Sequence, residues 1–305
     1  MALGTLDEKV EQLSTASLRR VIDPDRDLPG ALGPGQILPD DLLSINGLDL
    51  DLSAEQRAQL SRAEVAAVFD GGIQFESILM AGFCFEILLH DDLCDPRVIY
   101  SLHEIGEETR HSRLFARVIA QTDAVSKNPL QHRGRLGCWF ARRSTFALIR
   151  RPALLNTMIL SGEEIPDLMQ KLASEHPDTD PFLREVNLYH RREESRHLSF
   201  ARLQVSERWQ KATWSDRFAV RHIAPIVIRE QFHYFVHPGV YEAIGLPPWR
   251  TWFAVRRLPA RSKLLRAATR PILRALIEGG SLDGGRIPRQ WRRLCGVDRY
   301  GEPIA

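Results

Sequence analysis

The chain has 305 residues, 44% hydrophobic and 26% charged, with 41 Lys and Arg against 39 Asp and Glu for a formal charge of +2. That composition fits one large domain or two small ones with a sizeable core, and so small a charge gives no ground for a nucleic-acid partner. No basic-then-apolar leader opens the chain, and its longest strongly apolar run, ILMAGFCF at 78–85, is far shorter than the roughly 18 residues of a spanning helix, so a cytoplasmic protein without a transmembrane segment is expected.

Residues 1–50 carry PDRDLPGALGPGQILPDD and read as an extended arm ahead of a main domain at 51–280 and a tail at 281–305. From about residue 54 apolar residues recur at helical spacing to about 90, with Gly71 and Gly72 as candidates to break or bend the helix. Asp95-Pro96 starts a second helix that runs to about 121, because Asp caps and Pro suits the first helical position. Residues 122–136 read as a loop, and a third helix spans about 152 to 175. Asp180-Pro181 repeats the start signal for a fourth, to about 210. Further helices are expected at 214–236 and 261–278, separated by the HPG and GLPPW breaks. No stretch alternates with period two between hairpin turns, which favours an all-α bundle. The four cysteines, Cys84, Cys94, Cys138 and Cys295, form no CxxC pair and read as reduced thiols.

The chemistry gathers in YHRREESRHLSF at 189–200. On a helix His190, Glu194 and His197 stand at i, i+4 and i+7 and share one face. EESRH at 193–197 nearly repeats EETRH at 107–111, and Glu194 and Glu108 stand 14 and 13 residues after the Asp of their Asp-Pro starts. Glu76 precedes Glu108 by 32 residues and Glu163 precedes Glu194 by 31, the separation of facing positions on an antiparallel helix pair. Each half thus offers one Glu opposite one ExxH, which is what a dinuclear site in a four-helix bundle requires. Carboxylates neutralise and bridge two divalent irons, and imidazoles cap the ends. The ExxH spacing favours Glu108 and Glu194 over Glu107 and Glu193, and the repeat offset favours Glu163 over Glu164. The other doublet members read as supporting or solvent-facing partners of Arg110, Arg192 or Arg196.

His190 breaks the symmetry, since the matching position before Glu108 is Glu104, which supplies no imidazole. A third ExxH, Glu230 to His233, has no carboxylate partner 31 or 32 residues earlier and reads as coincidence; His233 with His237 admits a mononuclear site but reads, like His103 and His222, as packed or surface histidine. Pro166, inside the third helix, frees a carbonyl one turn earlier and can bend the axis.

Glu76, EETRH, Glu163 and HRREESRH together resemble the p-aminobenzoate N-oxygenase family of ferritin-like di-iron oxygenases, whose mark is H-x3-E-x2-H preceded 27 residues earlier by a Glu. The resemblance covers about residues 76–197 and implies a ferritin-like four-helix core with added helices. It implies seven metal ligands: Glu108 and Glu194 bridge two irons, Glu76 and His111 complete one, and Glu163, His190 and His197 complete the other. It also implies O2 as co-substrate, activated through a peroxo intermediate that oxidises the nitrogen of a small amine to hydroxylamine, nitroso or nitro. An external electron donor, whether ferredoxin and reductase or a chemical reductant, is then needed, and the class admits a homodimer. Phe75, beside Glu76, and Leu79, Ile105, Leu160 and Asp167, each one turn from a ligand, are candidates for the pocket wall. The rival readings are a di-iron C–H hydroxylase or desaturase of a small or carrier-bound substrate and a non-enzymatic iron-binding helical protein. The basic segment 261–280 reads as a helix that covers the bundle.

Overall fold

The computed structural model describes residues 5–19, 21–124, 127–131, 134–282 and 286–304. Among them there is no strand, and the helices in chain order are α1 (Leu6–Arg19), α2 (Pro24–Asp27), α3 (Ala54–Leu88), α4 (Pro96–Gln121), α5 (Gly134–Ile149), α6 (Pro152–Glu175), α7 (Pro181–Lys211), α8 (Trp214–Phe218), α9 (Ala224–Tyr234), α10 (Pro238–Glu242), α11 (Pro248–Val255), α12 (Pro259–Glu278) and α13 (Arg289–Cys295). The four long helices make the bundle: α3 pairs with α4 and α6 with α7, while α3 also packs on α6 and α4 on α7.

Helix starts follow the local chemistry read from the sequence. The Asp95 carboxylate accepts from the Arg97 amide and the Asp180 carboxylate from Leu183, each just ahead of a proline at the first helical position. Ser53 and Gln56 form a reciprocal capping box that opens α3.

Several expectations fail for identifiable reasons. Gly71 and Gly72 neither break nor bound α3. Their role is close packing, since a Cβ would stand 3.0 Å from Phe235 at Gly71 and 3.0 Å from Phe115 at Gly72. The N-terminal arm is not extended throughout, because α1 packs on α4 and α7 and puts the fully buried Val10 into the main core. The loop expected at 122–136 ends in α5, and its residues 125, 126, 132 and 133 lie outside the described set. The expected helix at 214–236 is present as two α-helical segments joined without a break by a π-helical turn at Ala219–Ile223. The HPG and GLPPW breaks each start a short helix, with Pro238 and Pro248 in its first turn, where a missing N–H costs nothing. The tail folds back, with Trp291 and Cys295 of α13 fully buried. Helix α12 covers α6 as expected, beginning at Pro259 and running through Pro271.

By length and composition α3 is apolar enough to cross a bilayer, but it packs along the bundle and buries Glu64 and Glu76. All four cysteines are free, Cys295 being the buried one.

Candidate metal centre

Each long helix of the bundle turns carboxylates or imidazoles inward. Glu76 comes from α3, Glu108 and His111 from α4, Glu163 from α6, and His190, Glu194 and His197 from α7, none of them more than 4% exposed. Close approach of the backbones makes this possible: a Cβ at Gly162, beside Glu163, would fall 1.8 Å from the Phe75 ring.

Glu108 and Glu194 occupy the middle. His111 Nδ1 lies 3.2 Å from Glu108 Oε2 and 3.2 Å from Glu194 Oε1, and His197 Nδ1 lies 3.1 Å from Glu108 Oε1 and 3.1 Å from Glu194 Oε2. His190 Nε2 stands 3.1 Å from Glu194 Oε1 and 3.6 Å from Glu76 Oε1, while Ser112 donates a hydrogen bond to Glu76. Two groups of atoms close enough to share an ion result: Glu108, His111, Glu194 and His197, and Glu76, His111 and His190. His190 therefore stands beside Glu76 and His111, and it also lines one small void with Glu76 and Glu163. The reason is direction. The helices α4 and α7 cross antiparallel here, so a residue one turn before Glu194 points away from His197 and toward His111.

The outer atoms of the imidazoles are fixed by carboxylates. His111 Nε2 is 3.0 Å from Glu193 Oε2, and His197 Nε2 is 2.8 Å from Glu107 Oε2. Donating the Nε2 proton outward leaves each Nδ1 lone pair facing the centre, the usual support for a metal-binding histidine. His190 is held the other way round, Nδ1 lying 2.9 Å from Gln170 Oε1. Glu107 also accepts from Arg196 at 2.8 Å and Glu193 from the Tyr189 hydroxyl at 3.0 Å. These doublet members face no solvent, being 3% and 2% exposed, and their crossed pairing between helices is a role the sequence did not reveal. Glu164, the third, pairs with Arg202.

The electrostatics show how unfavourable the cluster is by itself. Burial pushes the Glu163 carboxyl well above its ordinary range, and Glu194 and Glu108 push it further. Burial acts the same way on Glu194, but His197 and His190 carry it well below that range. Burial would lower the imidazole of His111, yet hydrogen bonds to Glu108, Glu193 and Glu194 raise it well above normal. Glu104, also on α4, is lifted to about 8 by burial, against the pull of His197. Glu108 Oε1, Glu194 Oε1 and His190 Nε2 are buried without a hydrogen bond. Buried donors and acceptors left open toward one another, in a set of carboxylates and imidazoles, fit a pair of divalent transition ions, which replaces shared protons with positive charge.

A void of 20 Å³ touches Glu76, Glu163 and His190 and has Phe75 in its wall. The other expected wall residues lie elsewhere: Leu79 and Leu160 are core, Ile105 packs against that core, and Asp167 pairs with Arg191 at 2.8 Å. Val68, Phe69 and Gln170 also line a larger cavity of 400 Å³ between α3, α6 and α12. Its walls are mainly Leu, Val, Met and Phe, and its buried cation is Arg261, whose Nε has no hydrogen bond and whose guanidinium lies 4.4 Å from the centroid of the Phe232 ring. The spare histidines do other work. Glu230 pairs with Arg256 at 2.9 Å, burial drives the His233 ring down to about 3, and the His237 ring accepts from the Gly239 amide to cap α10. His222 packs on Phe218.

A family model described as p-aminobenzoate N-oxygenase AurF matches residues 5–280. The uncharacterized protein Mb0909 of Mycobacterium bovis is 27% identical over 257 residues, which is 80% of this chain and 71% of that protein. The uncharacterized protein Rv0885 of Mycobacterium tuberculosis matches at 27% over the same shares.

Proposed function

Because the chain belongs to the p-aminobenzoate N-oxygenase family of di-iron oxygenases, with their all-α ferritin-like fold, we propose that it is a di-iron N-oxygenase of a small amine, arylamines first. One observation carries this reading: four bundle helices bury four glutamates and three histidines around one centre, with the unpartnered oxygens of Glu108 and Glu194 between the two His Nδ1 atoms.

In this reading Glu108 and Glu194, with Glu76, His111, Glu163, His190 and His197, would hold two irons, which would supply O2 reduction and oxygen transfer to nitrogen with electrons from an external donor. The chain's own part is orientation and exclusion of water. Glu107 and Glu193 hold the imidazole rings, Gln170 holds His190, and Phe75 and Phe69 wall off the centre. The amine enters from the 400 Å³ cavity, a size common for small-molecule sites, past Gln170 toward the void beside Glu76 and Glu163. Arg261 is the group there that can hold an acidic substituent.

The test is single turnover of the ferrous-loaded protein with isotopically labelled O2 and a panel including p-aminobenzoate, other arylamines and simple arenes. Label on nitrogen, as hydroxylamine, nitroso or nitro product, is expected. Label on carbon with the nitrogen untouched overturns the assignment in favour of a hydroxylase.

A further inference from the structure

The metal-facing stripes of α4 and α7 are written in one register. On α7 the positions i, i+4 and i+7 are His190, Glu194 and His197; on α4 they are Glu104, Glu108 and His111. Two of the three positions match as ligands in kind, and the third pairs an imidazole with a carboxylate.

Glu104 is completely buried, and neither of its carboxylate oxygens makes a hydrogen bond. The Tyr100 hydroxyl one turn earlier is also buried and unpartnered. Buried polar groups are satisfied as a rule, so two side chains on one face with three open oxygens mark a place where something else belongs.

Its location follows from the crossed pairs. His111 meets Glu193 and His197 meets Glu107, so α4 and α7 run antiparallel through the centre. One turn before Glu194, the chain reaches the His111 end: the rings of His190 and His111 are 4.4 Å apart, and those of His190 and Phe115 are 4.8 Å apart. One turn before Glu108, by the same geometry, the chain reaches the His197 end, where Tyr100 packs on Phe200 at 4.4 Å. Among the charged side chains, His197 acts most strongly on Glu104.

We propose that Glu104 is a ligand of the metal held by Glu163 and His197, the counterpart of His190 on the metal held by Glu76 and His111. The inference rests on the two-metal reading above. Each metal then has its own pair of terminal residues plus one extra, an imidazole on one side and a carboxylate on the other. The pair is unequal: one position is rich in nitrogen, and the other carries an additional negative charge that favours the harder, more oxidised ion.

Cobalt(II) is the probe, because its visible absorption reports ligand type without turnover. The full chain is titrated with cobalt and assayed for bound metal after dialysis, as wild type, Glu104→Gln and Glu104→His. Wild type is expected to hold two ions. Glu104→Gln should keep the tighter ion unchanged and bind the other at least about 10-fold more weakly, with a matching loss of visible bands. Glu104→His should retain both ions with shifted bands. A Glu104→Gln protein with two ions at wild-type affinity and an unchanged spectrum overturns the proposal and leaves the two-metal reading intact, whereas wild type that binds one ion or none sinks both. A crystal structure of cobalt-loaded wild type decides independently of any variant: a Glu104 carboxylate turned away from the metal beside His197 also refutes it.

Discussion

The two helical hairpins, α3 with α4 and α6 with α7, carry the same inward pattern yet solve its electrostatics differently. In the first, burial raises the Glu76 carboxyl above its ordinary range, but His190 of the other hairpin, 3.6 Å away, opposes this, and Ser112 donates a hydrogen bond to Glu76. In the second, Glu163 is forced against Glu194 and carries a strongly raised pKa from burial and from that neighbour. His111 and His197 are shared out crosswise, each anchored by a carboxylate of the opposite hairpin, while Gln170 of its own hairpin holds His190. Duplication of a sequence pattern thus sets where these side chains stand, while contacts across the bundle decide which neighbours each one meets.

Substitutions can break this comparison, most forcefully in the middle of the centre. If Glu108 and Glu194 are equivalent bridges, Glu108→Ala and Glu194→Ala should each lower affinity for both metals by more than about 100-fold, beyond the usual effect of a supporting residue. Metal analysis after dialysis should find neither ion. One ion retained in one variant alone would show that the hairpins are not equivalent.

A smaller effect sharpens the crosswise arrangement. Glu193→Gln should weaken the metal beside His111, and Glu107→Gln the metal beside His197, each by about 10- to 100-fold. Stepwise metal titration separates the two sites. The opposite outcome, in which each variant weakens the site on its own hairpin, would overturn the crossed assignment.

A pH-dependent effect contrasts the cluster with a carboxylate that has no duplicate. Glu64 on α3 is 4% exposed, accepts from the Ser44 amide at 3.0 Å, and is pushed up to about 7 by burial. The folded chain keeps the Glu64 proton up to about pH 7, whereas the unfolded chain releases it near 4.5. Stability from this group is therefore lost as pH rises through that window, by about 3 kcal/mol in all. Thermal unfolding of Glu64→Gln between pH 5 and 8 should lack that decline; an equal decline in both proteins would place its origin elsewhere.

Much of the centre was legible because its chemistry is periodic. Capped starts at Asp95 and Asp180, ExxH on each following helix and a Glu one hairpin length earlier all survive as arithmetic in a linear string. The arginine partners of Glu107 and Glu193 were legible, but their histidine partners were not, since these lie 90 and 82 residues away on another helix. Nor was the work of Gly71 and Gly72, where the missing side chains admit Phe235 and Phe115. Helices α1 and α13 were missed because weak or interrupted local signals became stable only against a core supplied by distant segments, and α5, which buries no residue, was missed as well.

By itself the sequence determined which side chains share a helical face, because a spacing of three, four or seven residues fixes their direction from the axis whatever surrounds them. Tertiary structure alone decided that His190 sides with His111, that Glu104 lies buried without a partner, and that an apolar cavity shares Val68, Phe69 and Gln170 with the small void beside Glu76, Glu163 and His190. Those facts depend on how antiparallel helices meet and how closely their backbones approach, quantities that only the packing of the whole chain sets.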